Sequence, residues 1–165
     1  MLTPDGDDAQ YVFHAAGSFQ TDGINPYHAR MQLEEKIRAG RRGRAALTVG
    51  EEHTAPRIGS GKVHVLATPV MINLIEAAAL DAVEHLLPPG HQSLGTRLDV
   101  RHIAATPIGM RVEATAEVVR VDGRNIYFRV EARDEKDLIG DGTHERVVVN
   151  VAKFDQRVQR KLQSS

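Results

Sequence analysis

Residues 68–90 read TPVMINLIEAAALDAVEHLLPPG, and this stretch decides the fold. Thr68 followed by Pro69 is typical of a helix start, since threonine can cap the first turn and proline fits its first position. The Pro88–Gly90 motif predicts that the helix ends at Leu87, which gives a rod of about 28 Å at 1.5 Å per residue. Apolar residues occur on nearly all its sides, so we expect it to be buried on most of them. The three alanines at 77–79 would let another backbone approach closely.

After this helix the pattern of apolar residues changes to a period of two, which predicts β-strands. The predicted strands cover residues 94–104, 111–121, 124–133 and 138–151. Asp122-Gly123 is a strong signal for a two-residue hairpin turn. A further short strand is predicted over 45–50, before the helix, and the charged tail after Val151 has a helical pattern. The order is therefore a strand, one long helix and a four-stranded antiparallel meander.

A curved antiparallel sheet wrapped around one long helix is the hotdog fold, of the α+β class. One such sheet has two open edges, and one face of the helix remains to be covered. Open edges favour pairing with another chain, so we expect a homodimer. The fold alone does not give a function.

The composition restricts the function. The chain has 165 residues and a formal net charge of −1, which does not favour nucleic-acid binding. It has no cysteine, which excludes disulfides, cysteine nucleophiles and thiolate metal sites. No apolar stretch is long enough to span a membrane, and the acidic residues 1–10 do not resemble a signal peptide. These features predict a cytoplasmic protein that binds neither nucleic acid nor membrane.

The first 43 residues differ in character from the rest. We interpret 1–43 as an N-terminal extension, partly helical or flexible, and 44–165 as the hotdog domain. Asn25-Pro26 predicts a helix over 27–39 that Gly40 ends. The arginines that follow have no aromatic residues between them, so a solvated linker is favoured over a nucleic-acid patch. They are Arg38, Arg41, Arg42 and Arg44.

Three polar residues are candidates for chemistry. Glu76 lies within the apolar helix, where a carboxylate needs a partner or a function. Thr68 is at the helix start and His102 is near the end of a strand. Each has an ordinary structural explanation: a dimer-contact or solvated acid, a helix cap and a packed histidine. A helix crossing a sheet can bring all three to one end of the groove, where histidine exchanges protons and carboxylate or threonine assists.

The sequence around these residues resembles the fluoroacetyl-CoA thioesterase-like hotdog family. The likeness covers 45–161 and lies in the motifs VLATP (65–69), IEAA (75–78), VRHIAATPIGM (100–110) and GTHER (142–146). The resemblance implies a homodimeric acyl-CoA thioesterase that acts on a small or medium acyl group. It further implies Thr68, Glu76 and His102 as catalytic residues, Gly95 near the thioester carbonyl and Arg146 near the acyl or CoA end of the site.

The chain departs from the family in one segment. Fluoroacetyl-specific members carry aromatic lid residues just before the long helix, whereas residues 57–62 here read RIGSGK. A different acyl group is therefore expected. GSGK lacks the Ser or Thr of a phosphate-binding loop and fits a lid better.

No histidines show metal-ligand spacing with carboxylate support, so no metal and no cofactor are predicted.

Two other functions are possible on the same scaffold. A non-catalytic protein that binds acyl-CoA or another small ligand would not need the three polar residues. A hotdog hydratase would need an Asp–His pair at wider spacing than Asp99 and His102. An assay over a panel of acyl-CoA substrates separates these alternatives.

Overall fold

The computed structural model describes residues 33–163. Its helices and strands follow one another along the chain without long connections. They are β1 (Arg42–Thr48), α1 (Ala55–Ile58), α2 (Thr68–Val83), β2 (His91–His102), β3 (Arg111–Asp122), β4 (Asn125–Asp134), β5 (Leu138–Asn150) and α3 (Val151–Gln163). Among these residues no helix has the length and apolar character needed to cross a membrane.

The five strands form one antiparallel sheet in the order β1-β3-β4-β5-β2. The meander β3-β4-β5 lies in the middle because short turns join its strands, including the predicted turn at Asp122-Gly123. The edges are β1 and the longer strand β2. This arrangement agrees with the predicted order of strand, helix and meander, and within residues 33–163 one side of β2 has no partner strand.

Helix α2 lies across the sheet and packs mainly on β1 and β3. Its buried side chains include Met71, Ile75 and Val83. Gly43 of β1 touches the helix backbone, and a Cβ atom there would overlap the backbone of Ala78 and Ala82. The close approach expected from the alanines of the helix therefore occurs, and glycine on the strand makes it possible.

The ends of three predicted elements need correction. The helix predicted to reach Leu87 leaves α-helical geometry after Val83, whose φ is −132°, and continues as a 3-10 turn over Glu84–Leu86. Glu84 at this point accepts hydrogen bonds from the backbone and hydroxyl of Ser93. The α-helix thus ends where Glu84 contacts β2. The sequence pattern cannot show this contact.

Strand β1 begins earlier than predicted. It covers Arg42–Thr48 rather than 45–50 because Arg42 and Arg44 alternate outward and form ion pairs with Glu117 and Glu113 of β3. Their interpretation as part of a solvated linker is therefore wrong. Likewise β2 covers His91–His102 rather than 94–104.

The chain before β1 contacts the core. Leu33 and Ile37 are buried in the hydrophobic cluster beneath the sheet. Of the helix predicted over 27–39, residues 33–36 are helical, and the part before 33 lies outside the described residues. The division at residue 43 stays a prediction. The helical tail is observed as α3.

Candidate active site

Thr68 and His102 form a hydrogen-bonded pair. Helix α2 begins at Thr68 and strand β2 ends at His102, so both side chains lie at the same end of the fold. Thr68 Oγ1 is 2.8 Å from His102 Nδ1. The prediction that Thr68 caps the helix is wrong, because Ala67 occupies the N-cap and no side chain caps this end. The threonine hydroxyl is therefore engaged with histidine and not with the helix backbone.

The second ring nitrogen of His102 is available for another group. Nε2 is buried and has no hydrogen-bond partner within residues 33–163. Burial lowers the pKa of His102 from its ordinary value near 6.5, and a weaker interaction with the backbone of Ala104 raises it. The ring is therefore neutral at pH 7 and can accept a proton. A buried nitrogen without a partner among the described residues calls for a further hydrogen-bonding group, such as water or substrate.

A cavity of about 340 Å³ adjoins this pair. Its walls come from α1, from the segment before α2 and from the segment after β2. They are Ala55, Ser60, Val65, Leu66, Thr68, His102, Ile103, Ala104 and Ala105. Apart from Thr68, His102 and Ser60 these side chains are aliphatic and mostly small. The cavity is open to solvent, and Ser60 of the predicted lid segment 57–62 contributes to its lining.

Glu76 lies elsewhere on the same helix, in a second group of polar residues. It follows Thr68 by eight residues, or about 12 Å along the helix axis. Its Oε1 is 3.6 Å from Arg146 Nη1 and 4.0 Å from His144 Nε2. Gly95 lies directly beside it, and a Cβ at Gly95 would overlap Oε1. The Glu76 side chain is 36% exposed, so a ligand can reach the carboxylate.

Arg146 is held firmly beneath Glu76. Its Nε donates to Ser93 Oγ at 2.8 Å and its Nη2 donates to the Ser93 carbonyl at 2.8 Å. The Ser93 hydroxyl in turn donates to Glu84 Oε2 at 2.7 Å. Burial lowers the pKa of Arg146, whereas Glu76 and Glu84 raise it, and a guanidinium stays charged throughout the physiological range. Glu76 therefore faces a fixed positive charge.

The five predicted site residues thus form two clusters in one chain: Thr68 with His102, and Glu76 with Gly95 and Arg146. Gly95 and His102 are seven residues apart on β2, or about 23 Å at 3.3 Å per residue. The expectation that helix and sheet bring Thr68, Glu76 and His102 to one end of a single groove is not met within one chain. Among residues 33–163, no group of His, Asp and Glu side chains is arranged to hold a metal ion.

Sequence reasoning favoured a structural role for His144 over an accessory role in the site, and it did not consider Ser93 or Glu84. One signal could have identified His144. On the two-residue period of β5, His144 and Arg146 share the inward face, where the pattern otherwise places apolar residues. Ser93 and Glu84 had no such signal, because their contact depends on how the helix end meets β2.

Comparison with known proteins assigns the family. The sequence profile of the family described as "FlK: Fluoroacetyl-CoA-specific thioesterase" matches residues 49–152, which include both clusters. The chain belongs to the FlK family. A fluoroacetyl-CoA thioesterase from Streptantibioticus cattleyicolor is 47% identical over 97 residues, which are 59% of this chain and 70% of that protein. The resemblance inferred from the motifs is confirmed.

Solved structures of FlK and of other hotdog proteins have the same fold. The fluoroacetyl-CoA thioesterase FlK superposes with a TM-score of 0.72 and 39% identity, over 76% of this chain and 97% of that one. A thioesterase superfamily member from Thermus thermophilus gives a TM-score of 0.72 and 31% identity, over 78% and 98%. A hot-dog-like protein from Thermanaerovibrio acidaminovorans gives 0.72 and 26%, over 78% and 96%. The predicted hotdog fold of this FlK-family chain is confirmed.

Proposed function

We propose that the protein hydrolyses acyl-CoA thioesters to the free acid and CoA. Membership of the FlK family supports thioester chemistry. The observation that carries the proposal is the Thr68–His102 pair, whose histidine presents an unpaired neutral nitrogen beside a cavity with aliphatic walls. Such an arrangement can activate a hydroxyl or a water and return the proton to a leaving thiolate.

The proposed roles follow from the environment of each residue. Water adds its oxygen to the acyl carbon, the carbon–sulfur bond breaks, and one water proton ends on the sulfur of CoA. Glu76 is ion-paired and reachable, and it acts in one of two ways. As a base it takes a proton from the attacking water; as a nucleophile it displaces CoA to form a mixed anhydride, which water then hydrolyses to the free acid and the restored carboxylate. His102 carries the proton and Thr68 orients the ring. Gly95 leaves room for the thioester carbonyl, and Arg146 lies at the acyl or CoA end.

These roles require the two clusters to meet, so we propose that each active site combines two subunits of a homodimer. Strand β2 is the long open edge of the sheet. Residue 96 is an extra residue in β2, at the bulge between Gly95 and Arg97. Two antiparallel copies of β2 about a two-fold axis at Asp99 would therefore place Gly95 of the partner subunit opposite His102. The same axis creates a second, identical site. Pairing of this kind also satisfies the unpaired backbone groups of the edge.

We propose a small or medium aliphatic acyl group as the substrate. The related proteins carry fluoroacetyl-CoA in their names. The cavity next to Thr68 and His102 has aliphatic walls, and segment 57–62 has no aromatic side chain that could close tightly on a two-carbon group. Since CoA thioesters are made and used in the cytoplasm, we propose that the protein acts there.

The first experiment is a steady-state assay over straight-chain acyl-CoA substrates from two to ten carbons, with fluoroacetyl-CoA included. We expect turnover of several short or medium substrates. Glu76→Gln and His102→Ala should each lose at least about 100-fold in kcat, since proton transfer contributes about 10²–10⁴ in rate. Binding of acyl-CoA by the wild type without turnover would favour a binding protein instead.

The second experiment tests the shared site by mixing the two inactive variants. In a heterodimer of Glu76→Gln and His102→Ala subunits, one site receives both defects and the other receives neither. After random exchange of subunits, half of the dimers carry one intact site, so activity should return to about a quarter of the wild-type value. If each subunit held a complete site, the mixture would stay inactive.

A further inference from the structure

We infer that His144 is a positioning residue that fixes the Arg146 guanidinium, and through it the Glu76 carboxylate, for the attack on the thioester. The inference rests on the proposed function of Glu76. His144 lies in the GTHER motif, but it has no role in the proposed catalytic chemistry. His144 is fully buried, so it acts through its neighbours and not on substrate.

The hydrogen bonds of His144 fix its tautomer. Nδ1 lies 2.8 Å from the backbone carbonyl oxygen of Arg97. A carbonyl oxygen can only accept, so Nδ1 carries the proton. In the neutral ring Nε2 is then an acceptor, and it faces Arg146 Nη1 at 3.2 Å. Phe128 stacks on the ring with centroids 5.9 Å apart, which holds the plane of the imidazole.

His144 completes the set of contacts on the guanidinium. Ser93 binds Nε and Nη2 and thereby fixes where the group lies. Those two contacts leave Nη1, which points toward Glu76 at 3.6 Å. The lone pair of His144 accepts from Nη1 on the buried side. It thereby fixes the tilt of the planar guanidinium, and with it the distance between the positive charge and the carboxylate.

The electrostatics around His144 favour this neutral acceptor. Burial lowers the pKa of His144 most, and the charge of Arg146 lowers it too, whereas the Arg97 carbonyl, Glu76 and Glu145 raise it. A protonated ring would turn its Nε2–H toward Arg146 and remove the acceptor. Burial and the charge of Arg146 thus outweigh the two carboxylates, and the contact between His144 and Arg146 stays intact at neutral pH.

Two substitutions separate the two hydrogen bonds of His144. Asparagine retains a donor near Nδ1 for the Arg97 carbonyl and has no acceptor near Nε2. Glutamine reaches the position of Nε2 with its amide oxygen and can accept from Arg146, but it loses the bond to Arg97. A purely structural histidine predicts that both variants lose stability and that neither changes kcat. A positioning role predicts that kcat falls in the asparagine variant, which has no acceptor for Arg146, and is largely kept in the glutamine variant, which has one.

We expect His144→Asn to lose about 10- to 100-fold in kcat with KM within about threefold, since a displacement near 1 Å costs up to about 10² in rate. His144→Gln should recover most of this loss although it melts at a lower temperature. The inference is overturned if His144→Asn keeps kcat within threefold of the wild type, or if His144→Gln is no better than His144→Asn.

Two readouts do not depend on activity. Long-range ¹H–¹⁵N spectra of the wild-type imidazoles should show His144 as the Nδ1–H tautomer at pH 7, and an Nε2–H or charged ring would contradict the inference even if neither variant folds. A crystal structure of His144→Asn should show Arg146 Nη1 displaced from Glu76, and an unchanged 3.6 Å separation would also contradict it. A wild type without thioesterase activity would refute the proposed function instead, and these two measurements would still test the positioning of Arg146.

Discussion

A single methyl group at Gly95 tests whether the position of the Glu76 carboxylate controls the reaction. A Cβ on Gly95 would overlap Glu76 Oε1 and would lie 3.2 Å from His144 Cε1. The overlapping atom is the far end of a flexible side chain and not backbone. The variant Gly95→Ala should therefore fold normally while its Glu76 carboxylate moves away from the strand.

The size of the effect follows from the contact distances. Ordinary van der Waals contact begins near 3.4 Å, so the carboxylate oxygen must move by about 1 Å to admit the methyl group. Misplacement of a reacting group by about 1 Å costs on the order of 10² in rate. We expect kcat/KM to fall about 100-fold, with a change in melting temperature of no more than about 3 °C.

The assay follows release of the CoA thiol with a chromogenic disulfide, and calorimetry on the same sample gives the melting temperature. Gln92→Ala is the control, because it places alanine on the same strand at an exposed position. It should keep both activity and stability. If Gly95→Ala hydrolyses the best substrate within threefold of the wild-type rate, the Glu76 carboxylate does not act from the observed position.

Three further predictions concern stability. Thr68→Ala should lower the melting temperature by only about 2–4 °C, because the hydroxyl contributes one hydrogen bond to His102 and no helix cap; a fall above about 8 °C would restore the capping role. Gly43→Ala should destabilise the fold by about 1–3 kcal/mol or more in urea unfolding, because its methyl group meets the backbone of Ala82; equal stability to wild type would show that the helix can shift freely. Burial lowers the pKa of His102 and His144, so below about pH 6.5 the unfolded chain binds more protons than the folded chain. The free energy of unfolding should therefore fall as the pH is lowered from about 7.5 to about 5.5, and a flat profile would show that neither ring is buried in solution.

Periodicity predicted the sheet and the helix well because each pattern reports which side of an element is buried. The alternation in β3 and the Asp122-Gly123 turn sufficed for the meander. The ends of α2 could not be predicted in this way. Whether Thr68 caps the helix depends on a competing partner, His102, which is 34 residues away in the sequence. Local propensity contains no information about that competitor.

The candidate site shows the same limit. Motif resemblance led to Thr68, Glu76 and His102, but spacing along one helix already separates Thr68 from Glu76 by about 12 Å. That separation could have been worked out from the sequence, because two side chains eight residues apart on one helix cannot both reach the same substrate atom. The contact of Glu84 with Ser93, which anchors Arg146, depends on a break in the helix and was not predictable from any local pattern.

The contact of Gly43 with the helix gives α2 a pivot. Near Ala82 no side-chain layer separates strand from helix, and Arg41 Nε donates to the Ala82 carbonyl while the Arg44 amide donates to Asp81. Thr68 lies about 21 Å away along the axis. A tilt of about 3° about this pivot moves Thr68 by about 1 Å, which is the scale on which catalytic rates change. A helix held at one end acts as a lever, so a small displacement at the Gly43 contact is magnified at Thr68.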